Sequence, residues 1–176
     1  MTSTSTGRRS IRGFTLIELM VVVAIIGILA SIAIPVSVRA SLRAKAAERN
    51  ELMLRVKTGV MEVYIQQGTI PGGALVADFQ PPYPPQNRKR AIDYRAPGWR
   101  TIFPAGQEIQ GNVYYSFRAR AWAATASAPA TIEVTAVGDL DGDGAYSTAV
   151  MVFKQVDGGF QLDDSESAYA EDYETF

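Results

Sequence analysis

Hydrophobic positions are unevenly distributed along this chain. From Phe14 to Pro35 they form a nearly unbroken run of 22 residues. As a helix that run is roughly 33 Å long, enough to cross a bilayer core of about 30 Å. Beyond it the apolar residues thin to a stripe: Leu42, Ala46, Met53, Val56, Val60 and Tyr64 recur at helical spacings with charged residues between them. That pattern predicts an amphipathic helix with one face packed on a core. Gly68, Pro71, Gly72 and Gly73 supply the stop signal. A single helix from Phe14 to about Gln67 would measure roughly 80 Å, well beyond the usual globular length. Gly27 and Pro35 interrupt it. Proline lacks an N–H and clashes with the carbonyl four residues back, so a kink or local melting is expected between these two residues.

The second half of the chain changes period. From Pro71 to about Gly106 no regular pattern emerges, and Pro81-Pro82-Tyr83-Pro84-Pro85 reads as a long surface loop. Val113 to Trp122 then alternates, with Val113, Tyr115, Phe117, Ala119 and Ala121 on one side and Tyr114, Ser116, Arg118, Arg120 and Trp122 on the other. This is the signature of a half-buried strand. Thr131–Val137 and Ser147–Val156 read as two more strands, and Asp157-Gly158 before Gly159–Leu162 is a hairpin signal that adds a fourth. The expected class is α+β: a long N-terminal helix, half transmembrane and half amphipathic, against an antiparallel sheet of about four strands.

Composition narrows the chemistry. The 176 residues suffice for one compact domain plus an anchor. Cysteine and histidine are both absent. No disulfide can staple the fold, and the commonest general base and transition-metal ligand are missing. No nucleophile–base pair can be placed, so the reading is of a protein that is not an enzyme. The 17 basic and 18 acidic residues nearly balance but are segregated. Arg39, Arg43, Lys45, Arg49, Arg55 and Lys57 crowd the stretch after the apolar run, whereas Lys154 is the one base from Asp139 to the end. A chain polarised in this way can pack head against tail.

The first thirteen residues are polar and carry Arg8, Arg9 and Arg12 with no acid. Under the positive-inside tendency they keep the N-terminus cytoplasmic and send the C-terminal domain across the membrane. An ordinary secretory signal has a shorter apolar core of about 7–15 residues. A plain anchor would gain nothing from Glu18, whose carboxylate is costly within a bilayer. The ordered stretch Gly13-Phe14-Thr15-Leu16-Ile17-Glu18-Leu19-Met20-Val21-Val22-Val23-Ala24-Ile25-Ile26-Gly27-Ile28-Leu29-Ala30 closely resembles the N-terminal signature of type IV prepilins and of the pseudopilins of type II secretion. That resemblance implies cleavage between Gly13 and Phe14 by a membrane-bound prepilin peptidase, followed by N-methylation of Phe14. It also implies that Glu18 pairs with the α-amino group of Phe14 on a neighbouring subunit as a filament grows, and that the segment from Gly27 to Pro35 can lose helicity on assembly. An isolated carboxylate in apolar surroundings gains greatly from such a cation. The great length of the helix suits a filament spine.

Two further clusters carry candidate chemistry. Asp139-Leu140-Asp141-Gly142-Asp143-Gly144 matches the opening of a calcium loop, in which alternate acids face one cation and glycine permits the turn. Val150 stands where the full loop needs a bidentate Glu. Both a glycine-rich loop with solvated acids and a calcium site on Asp139, Asp141 and Asp143, completed by backbone or by Asp157 or Asp163, remain open. Arg88, Lys89, Arg90, Arg95 and Arg100, interleaved with Tyr83, Tyr94 and Trp99, could bind nucleic acid, a solvated loop or subunit contact being the alternative.

The organisation expected is a leader (1–13), a transmembrane assembly helix (14–35), an amphipathic helix (36–68), a connecting loop region (69–112), and a sheet with an acidic tail (113–176). The leading function is a structural subunit of a type IV pilus, serving adhesion, motility or DNA uptake. Its partners would be further subunits, the peptidase and an inner-membrane assembly machinery. Its location would be the inner membrane first and the cell surface afterwards. The alternatives are a pseudopilin of a type II secretion system, in a short periplasmic filament, and a membrane-anchored calcium-binding protein.

Overall fold

The computed structural model describes residues 14–170. The leader, with Gly13, and the terminal acids Glu171, Asp172 and Glu174 lie outside the described residues. The chain divides into two compact units, Met1–Val38 and Arg39–Phe176.

In the first unit, helix α1 begins at Leu16 and continues into the second unit as far as Gln67. From Phe14 to Val38 every side chain is exposed except Ala30, which is half-buried. Apolar side chains that find no partner within the chain must find one outside it. Among the described residues α1 is the one helix long and apolar enough to cross a membrane. The helical pattern runs through Gly27 and Pro35 without a break, so local melting is absent from the isolated chain.

In the second unit, α1 buries Leu42, Ala46, Arg49, Met53, Val56, Gly59, Val60 and Val63. This is the expected stripe with Val63 added and with two positions that hydrophobicity alone does not flag, Arg49 and Gly59. Tyr64 is half-buried at the stripe's edge, its ring edge-on to Phe160 and its hydroxyl donating to Gln155 Oε1. A 3-10 turn at Pro71–Gly73 ends the helical segment.

The sheet is antiparallel and has six strands: β1 (Ala74–Gln80), β2 (Ser116–Trp122), β3 (Thr131–Gly138), β4 (Ser147–Val156), β5 (Gly159–Leu162) and β6 (Ala168–Ala170). Strands β1 to β5 lie side by side in chain order, and β6 pairs with β4. The β4 and β5 boundaries coincide with the expectation. Asp157 and Gly158 both take positive φ (51° and 82°), as the tight two-residue turn demands. The buried side of β2 is the predicted one, with Phe117, Ala119 and Ala121 inside.

Three expectations need correction. The segment after Pro71 contains strand β1, with Leu75 and Ala77 buried, and a short helix α2 (Trp99–Ile102). Strand β2 starts at Ser116 rather than Val113, because its ladder with β3 ends at the pair Ser116–Val137; Val113 instead bridges Arg90 through two backbone hydrogen bonds. The acidic end contributes β6, three residues that are too short to show a period of two.

The core joins helix and sheet through Met53, Val56, Val60, Phe117, Ile132, Val134, Tyr115 and Trp99. Trp99 stacks on Phe103 and donates from its indole N–H to the Asp78 carbonyl at 2.6 Å. The loop carrying it therefore covers the outer edge of β1, where unpaired backbone groups would otherwise be open to another chain.

Candidate functional site

The N-terminal turn of α1 explains how a carboxylate is accommodated in so apolar a stretch. Glu18 Oε2 accepts from the Thr15 backbone N–H at 2.9 Å and from the Thr15 hydroxyl at 2.7 Å, while Thr15 Oγ1 accepts from the Glu18 N–H at 3.3 Å. This reciprocal arrangement is a capping box, satisfying two backbone donors that a helix start leaves free. Thr15 is the residue that sequence reasoning missed. The signal was present as T-x-x-E immediately before the apolar run. Around the carboxylate, Phe14, Ile17, Val21 and Val22 form an exposed apolar groove. The site is thus a charged group fixed by its own helix end within a greasy surface, facing outward.

In the second unit the three loop acids come together. Asp139, Asp141 and Asp143 each present a carboxylate oxygen within 4.8 Å of the others. Asp139, only 9% exposed, accepts from the Gly142 N–H at 2.7 Å; Asp143 accepts from the Ala145 N–H at 2.8 Å, and Asp141 more loosely from the Asp143 N–H. Lys45 on α1 donates to the Leu140 carbonyl at 2.8 Å and ties the loop to the helix. The donor set, three hard oxygens on a loop with glycine at 142 and 144, has the chemistry of a calcium ligand group, although calcium takes six to eight oxygens. Asp157 and Asp163 do not complete it. Asp157 lies past the far end of β4 from Ser147, and Asp163 is held by Lys154 at 2.8 Å, which together with Ser165 depresses its carboxyl far below the usual range.

The basic loop is dispersed by folding. Lys89 pairs with Glu48 at 2.8 Å, and Arg90 donates to the Pro82 carbonyl and to Ser116 Oγ. Trp99 is fully buried, and Tyr94 donates to the Ile109 carbonyl at 3.0 Å. Burial, reinforced by Glu108, pushes Tyr94 up to about 12. Arg88, Arg95, Arg100 and Tyr83 stay exposed.

Residues 8–34 match the family model described as the prokaryotic N-terminal methylation motif. The fimbrial protein of Neisseria meningitidis serogroup B is 46% identical over 61 residues, 35% of this chain and 36% of that protein. The N-terminal third of the chain is thus similar to that of type IV pilins. Other relatives include the type IV major pilin protein PilE of Neisseria gonorrhoeae, 45% identical over 60 residues (34% of this chain, 36% of the relative). The type IV major pilin protein PilA of Myxococcus xanthus is 52% identical over 56 residues (32% and 22%). The alignment with the first of these relatives spans about a third of its length, 36%. No solved structure matches the chain significantly. The apolar N-terminal helix and its motif fit membrane anchoring.

Proposed function

We propose that this chain is a type IV prepilin and a structural subunit of a type IV pilus. In this reading a prepilin peptidase cuts between Gly13 and Phe14, Phe14 is N-methylated, and the chain waits in the inner membrane with its sheet domain outside the cytoplasm before joining a filament. The observation that carries it is the exposed apolar half of α1 with Glu18 as its one charge between Phe14 and Val38. Such a surface is stable only in lipid or against copies of itself.

Cleavage creates a cation at Phe14, four residues and about 6 Å of helical rise from Glu18 in the same subunit. A neighbour staggered along the filament brings its own amino group to Glu18. The capping box then serves the waiting state: Thr15 satisfies the carboxylate until the neighbour arrives. Gly27 and Pro35 supply the weak hydrogen bonding that lets the segment between them unwind on packing. Adhesion, motility and DNA uptake are tasks of the assembled fibre.

Deleting the gene tests the reading against its rival. Loss of surface filaments supports the pilus subunit. Intact filaments with a failure of protein export identify a pseudopilin instead.

A further inference from the structure

Folding commits most of the basic loop to local partners: Lys89 to Glu48, Arg90 to the Pro82 carbonyl and Ser116 Oγ, and Arg88 to Gln86 Oε1. Arg95 and Arg100 are different. Both are exposed, and among the described residues neither guanidinium has a hydrogen-bonding or ion-pairing partner. They line one cleft of about 440 Å³, within the usual range for small-ligand sites of about 300–1,000 Å³. Buried Ile92 and Phe103 and half-buried Tyr94 give it apolar walls, and the carboxylates of Asp93 and Glu108 stand in its lining. The walls are fixed before any ligand arrives. Trp99, fully buried and bonded to the Asp78 carbonyl, anchors α2 and leaves its neighbour Arg100 on the outside. The Tyr94 ring stands edge-on to Phe103 at 5.6 Å, and its hydroxyl donates to the Ile109 carbonyl, which holds the Glu108 segment beside it. Asp93 Oδ1 accepts from the Arg95 backbone N–H at 2.9 Å and Glu108 Oε2 from the Gly106 N–H at 2.8 Å, so both carboxylates are held by their own loops and not by the guanidinium groups.

A guanidinium fork takes a carboxylate through two parallel hydrogen bonds, and a carboxylate accepts hydroxyl donors on the lone pairs it has left. A cleft that offers two free forks, two acceptors and apolar walls matches a ligand with one anionic group, several hydroxyls and a C–H face. We propose that this cleft binds a carboxylated monosaccharide unit of an acidic glycan, its carboxylate on Arg95 and Arg100, its hydroxyls on Asp93 and Glu108, and its C–H face on Tyr94 and Phe103. A nucleic-acid strand fits less well, because successive phosphates would meet the two carboxylates as like charges. The site lies wholly within the second unit, so it holds whether or not the apolar run crosses a membrane. In the proposed filament it supplies a chemical target for adhesion.

Isothermal titration of the full chain, in a detergent without a sugar headgroup, uses galacturonate as the probe and galactose as its neutral counterpart. Galacturonate should bind at least about tenfold tighter than galactose, the difference expected of a charge-assisted pair. R95Q/R100Q should bring galacturonate down to the galactose level with the parent's Tm retained, since both side chains are exposed. R95K/R100K should retain part of the preference, and R88Q, outside the cleft, should match the parent. Equal affinities for galacturonate and galactose in the parent chain, or a galacturonate affinity that R95Q/R100Q leaves unchanged, overturn the assignment. Tighter binding of inorganic phosphate or of a single-stranded oligonucleotide than of galacturonate would also overturn it, marking the two arginines as a general anion site.

Discussion

Replacing Gly98 with alanine should loosen the loop that seals the edge of β1. Gly98 takes φ 78° and ψ −42°, a conformation that costs a residue with a Cβ about 1–3 kcal/mol. A Cβ placed there would lie 2.2 Å from the Val76 carbonyl oxygen and 2.7 Å from the Ala77 Cα. Both are backbone atoms of β1 and cannot rotate away, so the loop must lift. Lifting it breaks the hydrogen bond from the Trp99 indole to the Asp78 carbonyl, worth about 1 kcal/mol. The expected loss is about 2–4 kcal/mol, near 10 °C in Tm for a chain of this size. Gly72 is the control: its φ is +64° and nothing lies within 4 Å of a Cβ built there, so Gly72→Ala should cost only about 1–2 kcal/mol of backbone strain. Thermal unfolding of the full chain in detergent, followed by near-ultraviolet dichroism of the buried Trp99, reads both variants. Equal Tm values for the two, or a Gly98→Ala variant as stable as the parent, would refute the close-approach argument.

Glu18→Gln keeps a residue that a capping box accepts while removing the charge, so filament yield should fall as far as in Glu18→Val while membrane insertion persists; wild-type yield in Glu18→Gln would reduce Glu18 to a helix cap. Thr15→Ala should leave filament yield less affected than either, as judged by electron microscopy of sheared surface material. Because burial holds Tyr94 protonated in the folded state up to about pH 12, its contribution is intact below the unfolded tyrosine value near 10 and is lost as pH rises from there toward 12. Tyr94→Phe should flatten that alkaline loss by about one proton in a denaturation series, and an unchanged slope would contradict the assignment. Asp139→Ala should cost about 1 kcal/mol by freeing the Gly142 N–H, with Asp139→Asn closer to the parent. Millimolar calcium should raise Tm by a few degrees at most, an effect lost in Asp141→Asn/Asp143→Asn; no rise at all removes the cation from the loop.

The sequence showed most where a pattern ran long. The apolar run, the helical stripe from Leu42 to Val60 and the paired strands around Asp157-Gly158 each repeat a period enough times to be read locally. Strand β1 escaped because only Leu75 and Ala77 of its seven residues are buried, and because prolines follow it closely. Gly59 and Arg49 could not be read as core positions, since their burial depends on partners distant in sequence: Ile102 packs where a Gly59 side chain would go, and Arg49 reaches Ser147. Trp99 and the arginines around it looked like one basic, aromatic surface in sequence, yet folding sends the indole inward and spends Lys89 and Arg90 on local partners. At the N-terminus, Glu18 was legible as an anomaly, whereas its bond to Thr15 required the helix start to be located first.

The proposed function requires the chain to lose its leader and to gain a charged, methylated end beside Glu18. N-terminal sequencing and intact mass of the protein isolated from its native cells test this directly. The prediction is a chain starting at Phe14 with one methyl group on its amine. A native chain that still begins at Met1, or one cut anywhere other than after Gly13, would contradict it.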